Sequence, residues 1–192
     1  EMGLPVFLVQ HHYAHILSCM AENEWTTEKK VIGVSFDGTG YGTDGTIWGG
    51  EILLADYDSF TRWGCIEPFA QTGGDASAKE GWRIAVSMIY GYIKDREKAW
   101  KIIEKLGLCS EQESKVQFTM ADRKINAVMS TSAGRLFDAV SAILGIRRQS
   151  SFEGEASMAL QFAAEAFEQK QILGSNKKQN ICQMVDKQSV NR

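Results

Sequence analysis

Proline is almost missing from this chain: among 192 residues only Pro5 and Pro68 occur, so no Pro-rich linker divides it. Cysteine is sparse as well. Cys19, Cys65, Cys109 and Cys182 show no CxxC spacing, which argues against a zinc-ribbon or dithiol redox motif and leaves small buried hydrophobes as the expected role. No charge of one sign dominates: 21 Lys and Arg stand against 24 Asp and Glu, a formal net charge of -3. Without a basic stripe, nucleic acid is not an expected partner. No apolar run reaches bilayer length and no charged-then-apolar leader opens the chain, so no membrane partner is expected and cytoplasm is the expected location. There is no internal repeat. Five Trp, nine Phe and 44% hydrophobic residues are instead enough for one ordered core of useful size.

The apolar pattern divides the chain in two. Leu4 to Val9 reads as a short buried strand, followed by a helix from His11 to about Asn23. Lys30–Phe36 and Thr46–Tyr57 read as strands flanking a glycine loop from Gly38 to Gly45, with a further strand over Phe60–Phe69. Helical spacing then takes over. One long helix is expected from about Ser77 to Leu106, ending at Gly107, and a shorter one over Met120–Met129. A third runs from Ser132 to Leu144 with Gly145 as its stop, and an amphipathic one covers Phe152–Gln171. A strand-rich half followed by a helix-rich half fits an α/β or α+β layered domain. Residues 1–170 form the expected domain, and 171–192 read as a polar tail or a truncated continuation.

Four places have residues fit for chemistry. All three histidines fall within five positions, His11, His12 and His15. On a helix, His11 and His15 share a face and reach one metal ion, the spacing used by HExxH helices, although His12 occupies the position of that motif's glutamate. An ordinary hydrogen-bonded cluster at a helix start remains the alternative. Phe36-Asp37-Gly38-Thr39-Gly40 puts a carboxylate at a strand end ahead of exposed backbone N–H groups, which suits a metal-bridged phosphate or simply a flexible turn. No Walker A pattern is present. Gly73-Gly74-Asp75-Ala76 opens a helix that carries Lys79, Glu80 and Arg83. Asp75 is either an N-cap or a contact to ribose or phosphate. Arg135 and Asp138, three apart, read as a surface ion pair.

Five blocks taken in register are more specific than any one of them. VQHHYAHILSCMAEN (Val9 to Asn23), FDGTGYGTDGTIWGGE (Phe36 to Glu51), GGDASAKEGWR (Gly73 to Arg83), TSAGRLFDAVSAILG (Thr131 to Gly145) and FEGEASMALQ (Phe152 to Gln161) together resemble the HypF carbamoyltransferases of hydrogenase maturation. The resemblance implies an actin-like α/β domain of the ASKHA type, present in part. It implies a divalent metal, iron or zinc, on His11, His15 and Asp37. Gly38, Thr39 and Gly40 then lie at a nucleotide phosphate or carbamoyl group, and Asp75 and Glu80 in the nucleotide pocket. ATP and carbamoyl adenylate are the implied ligands, made in the full protein from carbamoyl phosphate and ATP. HypE is the implied partner, whose C-terminal cysteine takes the carbamoyl group on the way to a cyanide ligand of nickel–iron hydrogenase. The nucleophile belongs to that partner, so no catalytic residue is assigned here.

The pattern also departs from the family. The preceding domains, the start of the actin-like domain and a later SGG loop with the remaining acidic ligand are not seen in the sequence, and Glu155 stands where the family usually has Gln. Two other readings follow. One is a transferase of the TsaD type, which modifies tRNA by threonylcarbamoyl transfer and shares these blocks more faintly. The other is a non-catalytic part that only folds or docks. A sugar kinase of the same superfamily fits least, because the histidine pair has no role there.

Overall fold

The computed structural model describes residues 3–4 and 6–170. Its centre is a five-stranded mixed sheet of β1 (Val31–Tyr41), β2 (Ile47–Ala55), β3 (Phe60–Cys65), β4 (Phe69–Thr72) and β5 (Ala127–Ser130). The strand order is β1-β2-β5-β4, with β3 also paired to β2. The antiparallel hairpins β1–β2 and β2–β3 are extensive. By contrast, the parallel junction of β2 with β5 rests on one pair, Ile47 opposite Ser130.

Helix α1 (His11–Glu22) lies on the β1–β2 hairpin. Its first turn is capped by Gln10, whose side-chain oxygen accepts from Tyr13 N–H at 2.9 Å. Tyr13, Ile16 and Met20 recur at three- and four-residue spacing and bury against Trp48, Leu53 and Ala55. Gly33 allows the close approach, since a Cβ there would overlap the Ile16 side chain. A second cluster fills the helical half. There α2 (Gly81–Ile93), α3 (Arg96–Lys105), α4 (Glu111–Arg123) and α5 (Ala133–Ile143) enclose Trp82, Ile84, Ile103, Leu108 and Phe118. A final helix occupies 155–170, and Ala156 is its one buried residue among those described. Among the described residues no helix is long and apolar enough to cross a membrane.

Several expectations are corrected. Of the expected strand Leu4 to Val9, the described residues Leu4 and 6–9 pair with no strand, and Val6, Phe7 and Leu8 are exposed; an apolar run becomes a strand only where a ladder accepts its backbone groups. Half of the glycine loop is strand: β1 continues to Tyr41, and the turn shrinks to Gly42–Thr46, closed by Gly42 N–H to Thr46 O at 2.9 Å. The long helix expected from Ser77 is a 3-10 turn (Gly74–Ala78) followed by α2 and α3. Lys94 adopts a left-handed conformation, and the Asp95 carboxylate caps α3 by accepting from Lys98 N–H at 3.0 Å. Asp75 lies within the 3-10 turn rather than capping it, because Gly73 holds the cap position. Met120–Met129 is the end of α4 followed by β5. The start of α4 is set by a Ser110/Glu113 capping box. The helix ending at Gly145 forms as expected, with Ser132 as its cap. Arg135 and Asp138 pair at 3.1 Å with side chains only 12% and 6% exposed, so the pair is buried rather than on the surface. Cys19 and Cys65 are exposed and Cys109 half-buried, against the expectation of buried thiols. Cys182 and the tail 171–192 lie outside the described residues.

Candidate functional site

His11 and His15 sit one turn apart on the exposed side of α1, and His12 points inward with none of its surface exposed. Asp37 meets them where β1 leaves its ladder. Phe36 pairs with Gly50 and the next registered pair is Gly40 with Trp48, so residues 37–39 face the single residue Gly49. This bulge turns Asp37 toward the helix. Asp37 Oδ2 lies 2.5 Å from His11 Nε2 and 3.6 Å from His15 Nε2. The two Nε2 atoms are 3.2 Å apart. Partial burial pushes the Asp37 carboxyl up, but the His11 hydrogen bond and the Gly38 N–H at 2.6 Å outweigh it and hold its pKa below the usual range.

Gly40 makes room for the imidazoles. A Cβ on it would strike the His12 ring and come within 2.9 Å of His11 Cδ2. His12 is oriented by Gln10. The Gln10 oxygen is taken by Tyr13 N–H, so its amide nitrogen, 3.2 Å from His12 Nδ1, donates there. The His12 proton therefore sits on Nε2, which has no partner. Burial, helped by the neighbouring His11, lowers the His12 pKa.

Below the bulge lies a buried network that the sequence reading did not single out. Glu51 is fully buried and accepts from Arg62 Nε at 2.7 Å, Gly49 N–H at 3.1 Å, Gly50 N–H at 3.3 Å and the Thr131 hydroxyl. Burial raises its pKa, yet the Arg62 and Thr131 bonds lower it more, leaving it below the ordinary glutamate value. Arg62 stacks over Trp48 at 4.1 Å and reaches Asp44 at 3.1 Å. The available signal was a charged residue inside an otherwise apolar strand, Ile47–Ala55, which requires a partner.

The glycine segment then meets the start of α5. The Ser132 hydroxyl donates to Gly38 O at 2.6 Å, and a Cβ on Gly134 would lie 2.9 Å from Gly38 Cα. Beside this contact is a cavity of about 430 Å³ lined by Thr39, Gln71, Asp75, Lys124 and Asn126, among others. Thr39 and Asp75, distant in sequence, thus share one cavity. Glu80 does not line it: its carboxylate pairs with Arg83 and accepts from Gln149 at 3.2 Å. Gln71, Lys124 and Asn126 carry no motif signature and are found only from the fold. Chemically, the three-residue cluster offers two imidazole nitrogens and a carboxylate oxygen, all within 4.8 Å of one another.

The sheet and its helical flank make an α/β domain. A family described as carbamoyltransferase, Kae1-like domain, second subdomain, matches residues 33–191. The chain belongs to that family, the HypF carbamoyltransferases, in agreement with the α/β fold expected. It is 41% identical over 166 residues to carbamoyltransferase HypF of Rhodobacter capsulatus, covering 85% of this chain and 22% of that protein. A probable carbamoyltransferase HypF of Methanocaldococcus jannaschii is 38% identical over 167 residues, covering 87% and 21%. The crystal structure of full-length HypF in a phosphate- and nucleotide-bound form superposes with a TM-score of 0.72 at 40% identity, over 82% of this chain and 20% of that one. The chain thus spans about a fifth of the length of these relatives.

Proposed function

We propose that this chain forms part of a site that transfers a carbamoyl group from carbamoyl adenylate to the C-terminal cysteine of HypE, in the maturation of nickel–iron hydrogenase. The observation carrying the proposal is the convergence of His11, His15 and Asp37 at the foot of a glycine segment, with Nε2 atoms 3.2 Å apart. The donor set fits a divalent ion, iron or zinc, with coordination positions left open. When bound, such an ion supplies Lewis acidity toward phosphate or carbamoyl oxygens.

The chain's own residues do the rest. His11 and His15 aim their Nε2 atoms, and Asp37 a carboxylate oxygen, at one point; without metal Asp37 accepts from His11 Nε2 and Gly38 N–H, and a cation would bind by displacing the His11 proton. A Cβ on Gly38 would meet nothing within 4 Å, so its backbone is open to close approach by a phosphate or carbamoyl group, with Thr39 and Gly40 on the same strand. In the neighbouring cavity, Asp75 supplies an acceptor for ribose hydroxyls and Lys124 a cation for phosphate. Glu80 serves by holding Arg83. No side chain here acts as nucleophile, since the thiolate comes from the partner.

The test is metal content by mass spectrometry on untagged wild type and on His11→Ala/His15→Ala. Near-stoichiometric metal that the double variant loses is expected. A well-folded wild type that takes up no iron or zinc when supplied with each would sink the metal assignment. Transfer is then read as one carbamoyl group added to the terminal cysteine of HypE when carbamoyl adenylate is supplied. An unmodified HypE in the presence of metal-loaded chain would leave a folding or docking role.

A further inference from the structure

The bulge that aims Asp37 at the histidines is held on β1 by Gly38 N–H on the Asp37 carboxylate and by the Ser132 and Thr39 hydroxyls on Gly38 O. The opposite strand holds it too. Gly49, the single residue facing the bulge, has no registered partner on β1, and its N–H goes to Glu51 Oε1 at 3.1 Å. Gly50 N–H turns to the same oxygen at 3.3 Å. Fixing that oxygen requires anchors on the rest of the carboxylate, and Arg62 and Thr131 provide them. A Cβ on Gly49 would lie 2.6 Å from Asp37 O and 2.8 Å from Ser132 Cα. The β2 backbone is thus wedged between the carbonyl of Asp37 and the cap of α5.

We infer that Glu51 is a positioning residue for the metal cluster: by holding the Gly49 N–H out of the β1 ladder, its buried carboxylate creates the bulge that presents Asp37 to His11 and His15. The inference rests on the metal-site reading above. Glu51 touches neither metal nor substrate and acts only through the backbone. Bulges beside active sites commonly re-aim a side chain in this way, and partners that orient metal ligands are worth roughly 10–100-fold in affinity.

The probe is cobalt(II), titrated against a competing chelator and followed by its visible absorption. Glu51→Gln is nearly isosteric and keeps an oxygen for the glycine N–H groups, but sets an amide N–H against the Arg62 donor. It is expected to weaken cobalt roughly 10–100-fold and to change the visible spectrum, because the Asp37 ligand is displaced. Phe118→Leu, in the distant helical cluster, is the control for mere loss of stability. It should leave both affinity and spectrum as in wild type. Should Glu51→Gln fail to fold, Thr131→Val, which removes one anchor, decides on the same two readouts. Tight wild-type binding that these variants leave unchanged overturns the inference alone, as does a loss that Phe118→Leu reproduces. Wild type that takes up no cobalt overturns the metal reading and this inference with it.

Discussion

Two glycines on β1, two residues apart, should respond oppositely to the same added methyl group. At Gly40 a Cβ falls on the His12 ring and within 2.9 Å of His11 Cδ2, whereas at Gly38 it meets nothing within 4 Å. Neither glycine has a positive φ, so the contrast is one of space. Gly40→Ala must push apart an imidazole that is fully buried and should lose about 1–3 kcal/mol, the usual penalty of overpacking. With a urea slope of about 2 kcal/mol/M, the unfolding midpoint should fall by roughly 0.5–1.5 M. Gly38→Ala should gain about 0.4–1 kcal/mol, because alanine restricts the unfolded chain. Function should split the other way for nucleotide. If a phosphate approaches the backbone at Gly38, Gly38→Ala binds nucleotide more weakly although it is more stable. Urea melts and a calorimetric nucleotide titration on both variants are sufficient. A Gly40→Ala protein as stable as wild type would refute the packing argument, and unaltered nucleotide affinity in Gly38→Ala would refute the close approach.

Other outcomes follow from the same contacts. Phe118→Ala, at a core position 2% exposed, should cost about 3–5 kcal/mol in a thermal or urea melt; a loss under 1 kcal/mol would mean that the helical cluster is not the core it looks. Asp37 and Glu51 both have depressed carboxyl pKa values in the fold. Their contribution is therefore present above the unfolded values near pH 4 and is lost as pH falls through the folded ones. Melts of metal-free protein between pH 7 and 3 should show this decline, and Glu51→Gln should flatten part of it. An identical pH profile in that variant would count against Glu51 as a contributor. Cys19→Ser should keep its metal within about twofold, since Cys19 follows His15 on the exposed side of α1 but is outside the three-residue cluster. A large loss measured by mass spectrometry would extend the donor set to the thiol.

The histidine spacing was legible because i,i+4 on a helix is a geometric rule, and the cap at Gln10 starts the helix where that rule needs it. Asp37 was read as a strand-end carboxylate, whereas it sits at a bulge inside β1; that bulge was not legible, because the residue inferred to cause it is a glutamate fourteen residues on in the opposite strand. The glycine loop was read too long, since glycine composition mimics a turn even where the residues lie in a paired strand. The break at Lys94 and Asp95 was missed because the apolar spacing continues across it; the carboxylate cap decides the boundary. The strand β5 was hidden inside an apparent helix, as Ala127–Ser130 is too short to show alternation. Leu4 to Val9 failed for the opposite reason: its pattern was strand-like, but pairing is a property of the neighbours.

The parallel junction between β2 and β5, narrowed to Ile47 and Ser130 in the backbone ladder, is expected to divide the molecule into two units of opening. One is built around Trp48 and Leu53, the other around Trp82 and Phe118. Amide exchange should therefore resolve two cooperative blocks with different protection. The histidine–aspartate cluster belongs wholly to the first block, so a cation bound there should slow exchange in α1, β1 and β2 while α2–α5 keep their own rates. The cavity between Thr39 and Asp75 has walls from both blocks. A ligand seated in it can stay bound only while both are closed, and by mass action it should slow exchange in the two blocks together. Two ligands at neighbouring sites would thus leave different signatures on the same backbone.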